Sequence, residues 1–124
     1  MAENQKILVI DDSNTNVVLL EAILGTKGYK IMTALSAKEA MGIIKKDRPH
    51  LILLDLLMPE ISGFDFLEDI KHNERLSSIP VIVISALTDD VNIEKTKKMG
   101  AVEFIEKPVD IQTLVDTVET ILKN

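Results

Sequence analysis

LILLDLLMPE, residues 51–60, is apolar throughout its first half and carries one carboxylate, Asp55, with leucines on both sides. A strand with one wet face alternates apolar and polar residues. A run without alternation is what a parallel sheet demands when helices cover both of its faces. An unpaired carboxylate inside such a core would protonate or be excluded, so Asp55 is either at an edge or kept for chemistry, and its position along the strand decides between them. Met58-Pro59 and Gly63 suit a loop immediately after it.

Four further short apolar runs surround this one: KILVID (6–11), KIMTA (30–34), VIVIS (81–85) and VEFIE (102–106). Helical patterns separate them. NTNVVLLEAILGTKG, from Asn14, reads as a helix with Asn16, Leu19, Leu20, Ile23 and Leu24 on one face, ending in glycine. SAKEAMGIIKKD opens on a serine cap with a glutamate three residues later and closes on lysines. Phe64–His72, Asp89–Lys98 and Asp110–Lys123 supply three more helices, Asp110 serving as a cap. The alternation predicts an α/β fold: a three-layer sandwich whose five-stranded parallel sheet is doubly wound in the order 2-1-3-4-5. The whole chain, 1–124, reads as one domain, with residues 1–5 as the only loose end.

Composition excludes several roles. A net charge of −6 opposes direct nucleic-acid binding, and Tyr29, Phe64, Phe66 and Phe104 are too few and scattered for a base-stacking platform. No cysteine is present for disulfides or thiolate metal sites. The N-terminal stretch lacks a signal-peptide pattern and no run is long enough to span a membrane, which leads us to expect a cytoplasmic protein. His50 and His72 stand in polar settings and read as surface residues.

In a doubly wound sheet the functional crevice lies beyond the carboxyl ends of the strands. Those ends carry Asp11 and Asp12, Asp55, Ser85 and Lys107, on strands 1, 3, 4 and 5. Taken singly, each has a plain structural use as a cap or a turn residue. Taken together, they put three carboxylates, a hydroxyl and an ammonium into one cleft. Each carboxylate pair at ~5 Å costs roughly 1 to 3 kcal/mol, a cost that a divalent cation removes. Magnesium suits this donor set, being held by a few hard oxygens while keeping several waters. A carboxylate beside it is then able to attack a phosphoryl group, with Lys107 and Ser85 offsetting charge on the phosphoryl oxygens.

VIDDS, DLLMPEISG, ISA and EKP, with Asp55, Ser85 and Lys107 in that order, resemble the receiver domain of two-component response regulators, including the chemotaxis regulator. The resemblance covers residues 5–123. It implies that Asp55 accepts a phosphoryl group from a phosphohistidine on a sensor histidine kinase or a histidine phosphotransfer protein. It implies Mg²⁺ held by Asp11, Asp12, Asp55 and the backbone carbonyl of Leu57, with Ser85 as the switch hydroxyl, Lys107 as the phosphate-binding lysine and Phe104 as the aromatic switch residue. The protein would then be a phosphoacceptor that assists its own phosphorylation and slow dephosphorylation, not an enzyme acting on other molecules.

The readout face would comprise helix 4, strand 5 and helix 5, with Val91, Met99, Ala101 and Phe104, and would engage a downstream effector or a second copy. Val17, Val18 and Ala22 on helix 1 would offer a docking patch beside the acidic site. Ser62 stands where many relatives have Asp or Asn. Leu57 and Leu87 stand where relatives with polar side chains orient an attacking water, so a durable phosphoryl state is expected.

A haloacid-dehalogenase-like phosphatase would need a second aspartate at position 57, and a flavodoxin-like carrier would want a Ser/Thr-rich phosphate loop where this chain has DDSNTN. A degenerate receiver, binding partners without phosphorylation, is the remaining alternative.

Overall fold

The computed structural model describes residues 5–58 and 62–123. Its elements alternate as β1 (Lys6–Ile10), α1 (Asn14–Gly25), β2 (Lys30–Ala34), α2 (Ala37–Lys46), β3 (Leu51–Leu54), α3 (Gly63–Lys71), β4 (Val81–Ser85), α4 (Asp90–Lys98), β5 (Glu103–Glu106) and α5 (Ile111–Leu122). All strand pairs are parallel, and the sheet runs β2-β1-β3-β4-β5. The expected order is therefore the observed one.

The unalternating strands divide their side chains between two cores, because successive residues of a strand point to opposite faces. Leu8, Ile10, Ile52, Leu54, Val81 and Val83 pack on one side with Ala40 and Ile44 of α2 and Phe66, Leu67 and Ile70 of α3. Ile7, Val9, Leu51, Leu53, Ile82 and Ile84 pack on the other with Leu20 and Leu24 of α1 and Leu114 and Val118 of α5. α4 is different. Its sequence, DVNIEKTKK, is polar nearly all round, and it buries only Thr96.

Every helix begins on a side-chain cap, which satisfies one of the amides that a first turn leaves without a partner. Ser13, Ser36, Ser62, Asp89 and Asp110 each accept from the backbone N–H three residues on. At α2 Glu39 reaches back as expected, but its carboxylate accepts from the Leu35 N–H, one residue before the cap, instead of from Ser36 itself. Ser62 does the capping that an Asp or Asn would do, with its Oγ 3.2 Å from the Asp65 nitrogen.

Four expectations need correction. β1, β3 and β5 are each one residue shorter than expected, so Asp11 and Asp55 lie just past their strands. Their amides nevertheless make a last rung, Asp11 N–H to Ala34 O and Asp55 N–H to Ile10 O. α1 is rotated from the face read in the sequence: Val17 is buried at 4% exposure, while Leu19 is 51% exposed. Its inward stripe is Val17, Leu20 and Leu24, three and four residues apart, which is the helical period once Ser13 sets the first turn. Val18 and Ala22 do face outward. Ala101 is buried at 8% exposure instead of lying on the readout face, because its amide closes the end of α4 by donating to Thr96 O. Gln5 is not loose, since its side chain donates to Leu122 O and its carbonyl accepts from Lys30 N–H. Pro59, Glu60 and Ile61 of the DLLMPEISG motif, where a loop is expected, fall outside the described residues.

Candidate functional site

Asp11, Asp55, Ser85 and Lys107 converge at the carboxyl edge of the sheet, as the strand order requires. Asp11 and Asp55 follow adjacent strands, and both are buried. Lys107 follows β5 and reaches back: its Nζ lies 2.9 Å from Asp11 Oδ2 and 3.3 Å from Asp55 Oδ2. A single ammonium thus bridges two buried carboxylates. Lys107 is tied in turn by its own N–H to Ser85 O, at 3.0 Å, and its bond to Pro108 is cis.

The remaining oxygens are also engaged. Asp55 Oδ1 accepts from the Leu57 N–H at 3.2 Å. Asp11 Oδ1 accepts from the Ser13 N–H at 2.9 Å, and its Oδ2 receives a long contact, 3.4 Å, from the Asn16 side-chain amide. Asp12 is exposed beside them, and Asp11, Asp12 and Asp55 each present an oxygen within 4.8 Å of the other two. Ser85 is fully buried, its Oγ accepting from the Leu87 N–H at 3.1 Å. Leu57 is 52% exposed at the mouth, and Leu87 is half-buried against the core.

Burial pushes the Asp55 carboxyl above the ordinary carboxylate value; the Leu57 N–H and the Lys107 charge pull it back, and the Asp11 charge adds to the rise. Burial alone would lower Lys107, but its hydrogen bond to Asp11 and its attraction to Asp55 outweigh that and hold it above the ordinary lysine value. Lys107 is therefore an ammonium under all neutral conditions, and it is the only nearby side-chain cation hydrogen-bonded to Asp55 among the described residues.

Three hard oxygen donors within reach of one another, two of them on buried groups, match a small divalent cation better than any softer metal. Asp11, Asp12 and Asp55 are the side chains that would hold it.

Two contributors escaped the sequence reading. The sequence suggests only a loop role for Gly63, yet its backbone packs directly on the segment just past β3, at Asp55 and Leu56. A Cβ there would overlap the Asp55 carbonyl oxygen and stand 2.5 Å from Leu56 Cα. The Gly63 N–H donates to Leu56 O at 2.9 Å. The sequence pattern puts Asn16 on the apolar face of α1, whereas its side-chain amide points at Asp11; its position five residues after Asp11, in the first turn of a capped helix, is the available signal. Phe104 is half-buried, packed against the same core as Leu87 and Met99. Val91 is 75% exposed. Both histidines are exposed, with His50 Nδ1 accepting from the Lys6 N–H.

A sequence profile described as the response regulator receiver domain matches residues 7–119, nearly the whole chain. The chain belongs to this family. The receiver is 29% identical over 117 residues to the protein PilH of Pseudomonas aeruginosa, covering 94% of this chain and 97% of that one. It is 36% identical over 118 residues to a protein of Vibrio cholerae named "Probable cyclic di-GMP phosphodiesterase", of which it covers 26%. Receivers of this kind thus match both short relatives over their full length and a part of a larger one. Among solved structures, the chemotaxis protein CheY4 of Vibrio cholerae superposes with a TM-score of 0.89 at 27% identity, covering 95% of this chain and 98% of that chain. No helix among the described residues is long and apolar enough to cross a membrane.

Proposed function

We propose that this receiver is a phosphoacceptor: Asp55 takes a phosphoryl group from a phosphohistidine on a sensor histidine kinase or a histidine phosphotransfer protein. The observation that carries this reading is the bridge from Lys107 Nζ to both Asp55 and Asp11, which sets an ammonium beside the one buried carboxylate at the end of the central strand. In the transfer, an Asp55 oxygen forms the new bond to phosphorus while the bond from phosphorus to the histidine nitrogen breaks. Lys107 is within reach to leave Asp55 for a phosphoryl oxygen, since its second partner, Asp11, keeps it in place. Bound Mg²⁺, held by Asp11, Asp12, Asp55 and the Leu57 carbonyl, would neutralise charge on the acidic cluster and on the phosphoryl oxygens.

The output is a population shift. A new phosphoryl oxygen offers the Ser85 O–H an acceptor, and turning toward it draws Oγ away from the Leu87 N–H, from which it now accepts. Ser85 and Leu87 lead into α4, and Phe104 packs on the same core as Leu87, so a change at Ser85 reaches the face formed by α4, β5 and α5. That face is the surface for an effector or for dimerisation. Val18 and Leu19 on α1 lie on the opposite flank of the site and are available to an incoming phosphodonor. Leu57 and Leu87 carry no group able to orient water, so the aspartyl phosphate should be long-lived. The receiver works on its own phosphorylation and acts on no other substrate, and we place it in the cytoplasm, where its phosphodonors present their histidines.

The test is incubation with Mg²⁺ and phosphoramidate or acetyl phosphate, followed by intact mass. Addition of one phosphoryl group, lost in Asp55→Ala, is the expected result. No addition to the wild-type protein would overturn the reading and favour a receiver that acts without phosphorylation.

A further inference from the structure

α4 is held to the body by one buried residue, and the surface it shares with α3 is a groove of about 770 Å³. Phe64 and Met99, both half-buried, form its apolar floor, and Val91, the most exposed large apolar side chain among the described residues, lies at its rim. The walls carry carboxylates from both helices, Asp65 and Glu68 on α3 and Asp90 and Glu94 on α4. Two lysines, Lys95 and Lys98, stand among them, and neither makes an ion pair with a wall carboxylate among the described residues. Lys95 instead places its Nζ 4.2 Å from the centroid of the Phe64 ring. Four carboxylates, none in an ion pair among the described residues, thus surround an apolar floor whose aromatic face already holds a cation.

We infer that the α3–α4 groove is a docking site for a basic amphipathic segment of a partner protein. Its apolar side chains would cover Val91 and Met99, and its arginines would meet the walls. The charge balance selects this occupant: four carboxylates against two ammonium groups repel an acidic segment or an anionic membrane surface and attract a cationic one. The floor selects for leucine-like side chains over a purely basic tail, because removing the exposed apolar surface from water supplies affinity that surface charge pairs alone do not. Phe64 refines the preference. A guanidinium stacks on an aromatic face better than an ammonium does, so an arginine of the partner is suited to displace Lys95. The groove lies apart from Asp55 and Lys107, and its occupation requires no phosphorylation.

The experiment uses the whole unphosphorylated chain, labelled with ¹⁵N, in the absence of Mg²⁺, so that its outcome is independent of phosphoryl transfer at Asp55. The probe is the synthetic peptide RLLRRLLRRLLR, with ELLEELLEELLE as its acidic counterpart. Saturable amide shifts confined to residues 64–68 and 90–99 are expected with the basic peptide and none with the acidic one. The paired reversal Glu68→Lys with Glu94→Lys should weaken binding about tenfold or more. Asp116→Lys with Glu119→Lys, which changes net charge equally on the exposed face of α5, should leave it within about twofold. Val91→Ser, at a position too exposed to matter for folding, should weaken it several-fold and serves as the second variant if the paired reversal lowers the melting temperature. Equal losses in both charge pairs would reduce the effect to bulk attraction and overturn the proposal. Shifts centred on α1 or on the acidic site would do the same, as would groove shifts that grow with protein concentration alone, the mark of a second copy.

Discussion

Asp55 combines burial, which raises its pKa, with a lysine contact that only partly offsets that rise. The folded protein therefore binds this proton more tightly than the unfolded chain does. Its contribution to stability is fully present below the ordinary value of 3.8 and is lost as pH rises through the higher folded value. In EDTA, Asp55→Asn should accordingly melt a few degrees above the wild type at neutral pH, with the difference vanishing below about pH 3.8; equal melting at pH 7 would show that Lys107 offsets the burial completely. Gly63→Ala brings a Cβ against backbone instead of a movable side chain, so the strand end must shift. A loss of roughly 1 to 3 kcal/mol by denaturant titration is expected, together with slower phosphorylation. Leu57 is exposed at the mouth and has no polar group. Once loaded with Mg²⁺ and phosphoramidate, the receiver should keep its phosphoryl group for minutes or longer, and Leu57→Asn should shorten that lifetime several-fold; a wild-type half-life of seconds would refute the argument.

Among the elements, α4 stands out as the least anchored. α1, α2, α3 and α5 each insert a stripe of buried side chains into a core, whereas α4 inserts Thr96 alone. Opening it exposes little apolar surface, and its amides should exchange with solvent faster than those of α3 and α5, by about tenfold or more in native-state hydrogen exchange. Equal protection would deny that α4 is the readily remodelled part of the fold. The elements also mark where sequence pattern is sufficient. α2 and α5 were legible to within a residue or two because cap, period and length agree. The rotation of α1 was not, because NVVLLEAIL is apolar on nearly every side and its period alone favours no face. Only contact with Ile7, Val9 and the neighbouring α5 residues selects Val17 over Leu19.

For the molecule as a whole, three carboxylates within 4.8 Å of one another store repulsion that Lys107 relieves only for Asp11 and Asp55. A cation that binds only the folded arrangement should stabilise it by mass action, by about 2.7 kcal/mol when its concentration reaches a hundred times its Kd. A thermal shift with millimolar MgCl₂, largely abolished in Asp11→Ala, is the expected observation; an equal shift in that variant would move the cation elsewhere. The amino-acid order alone determined the alternation of strands and helices, the coverage of both sheet faces, the caps of α2 and α5, and which polar residues gather at the carboxyl edge of the sheet. These follow from local periodicity and turn chemistry, which neighbouring residues carry among themselves. Tertiary structure decided the rest: that Lys107 bridges Asp11 and Asp55, that Gly63 must lack a side chain because the Asp55 backbone occupies its place, that Asn16 turns to Asp11, and that α4 and α3 leave a groove between them. Each of these depends on distances between residues far apart in the chain, set only when the strands align and the helices pack on them.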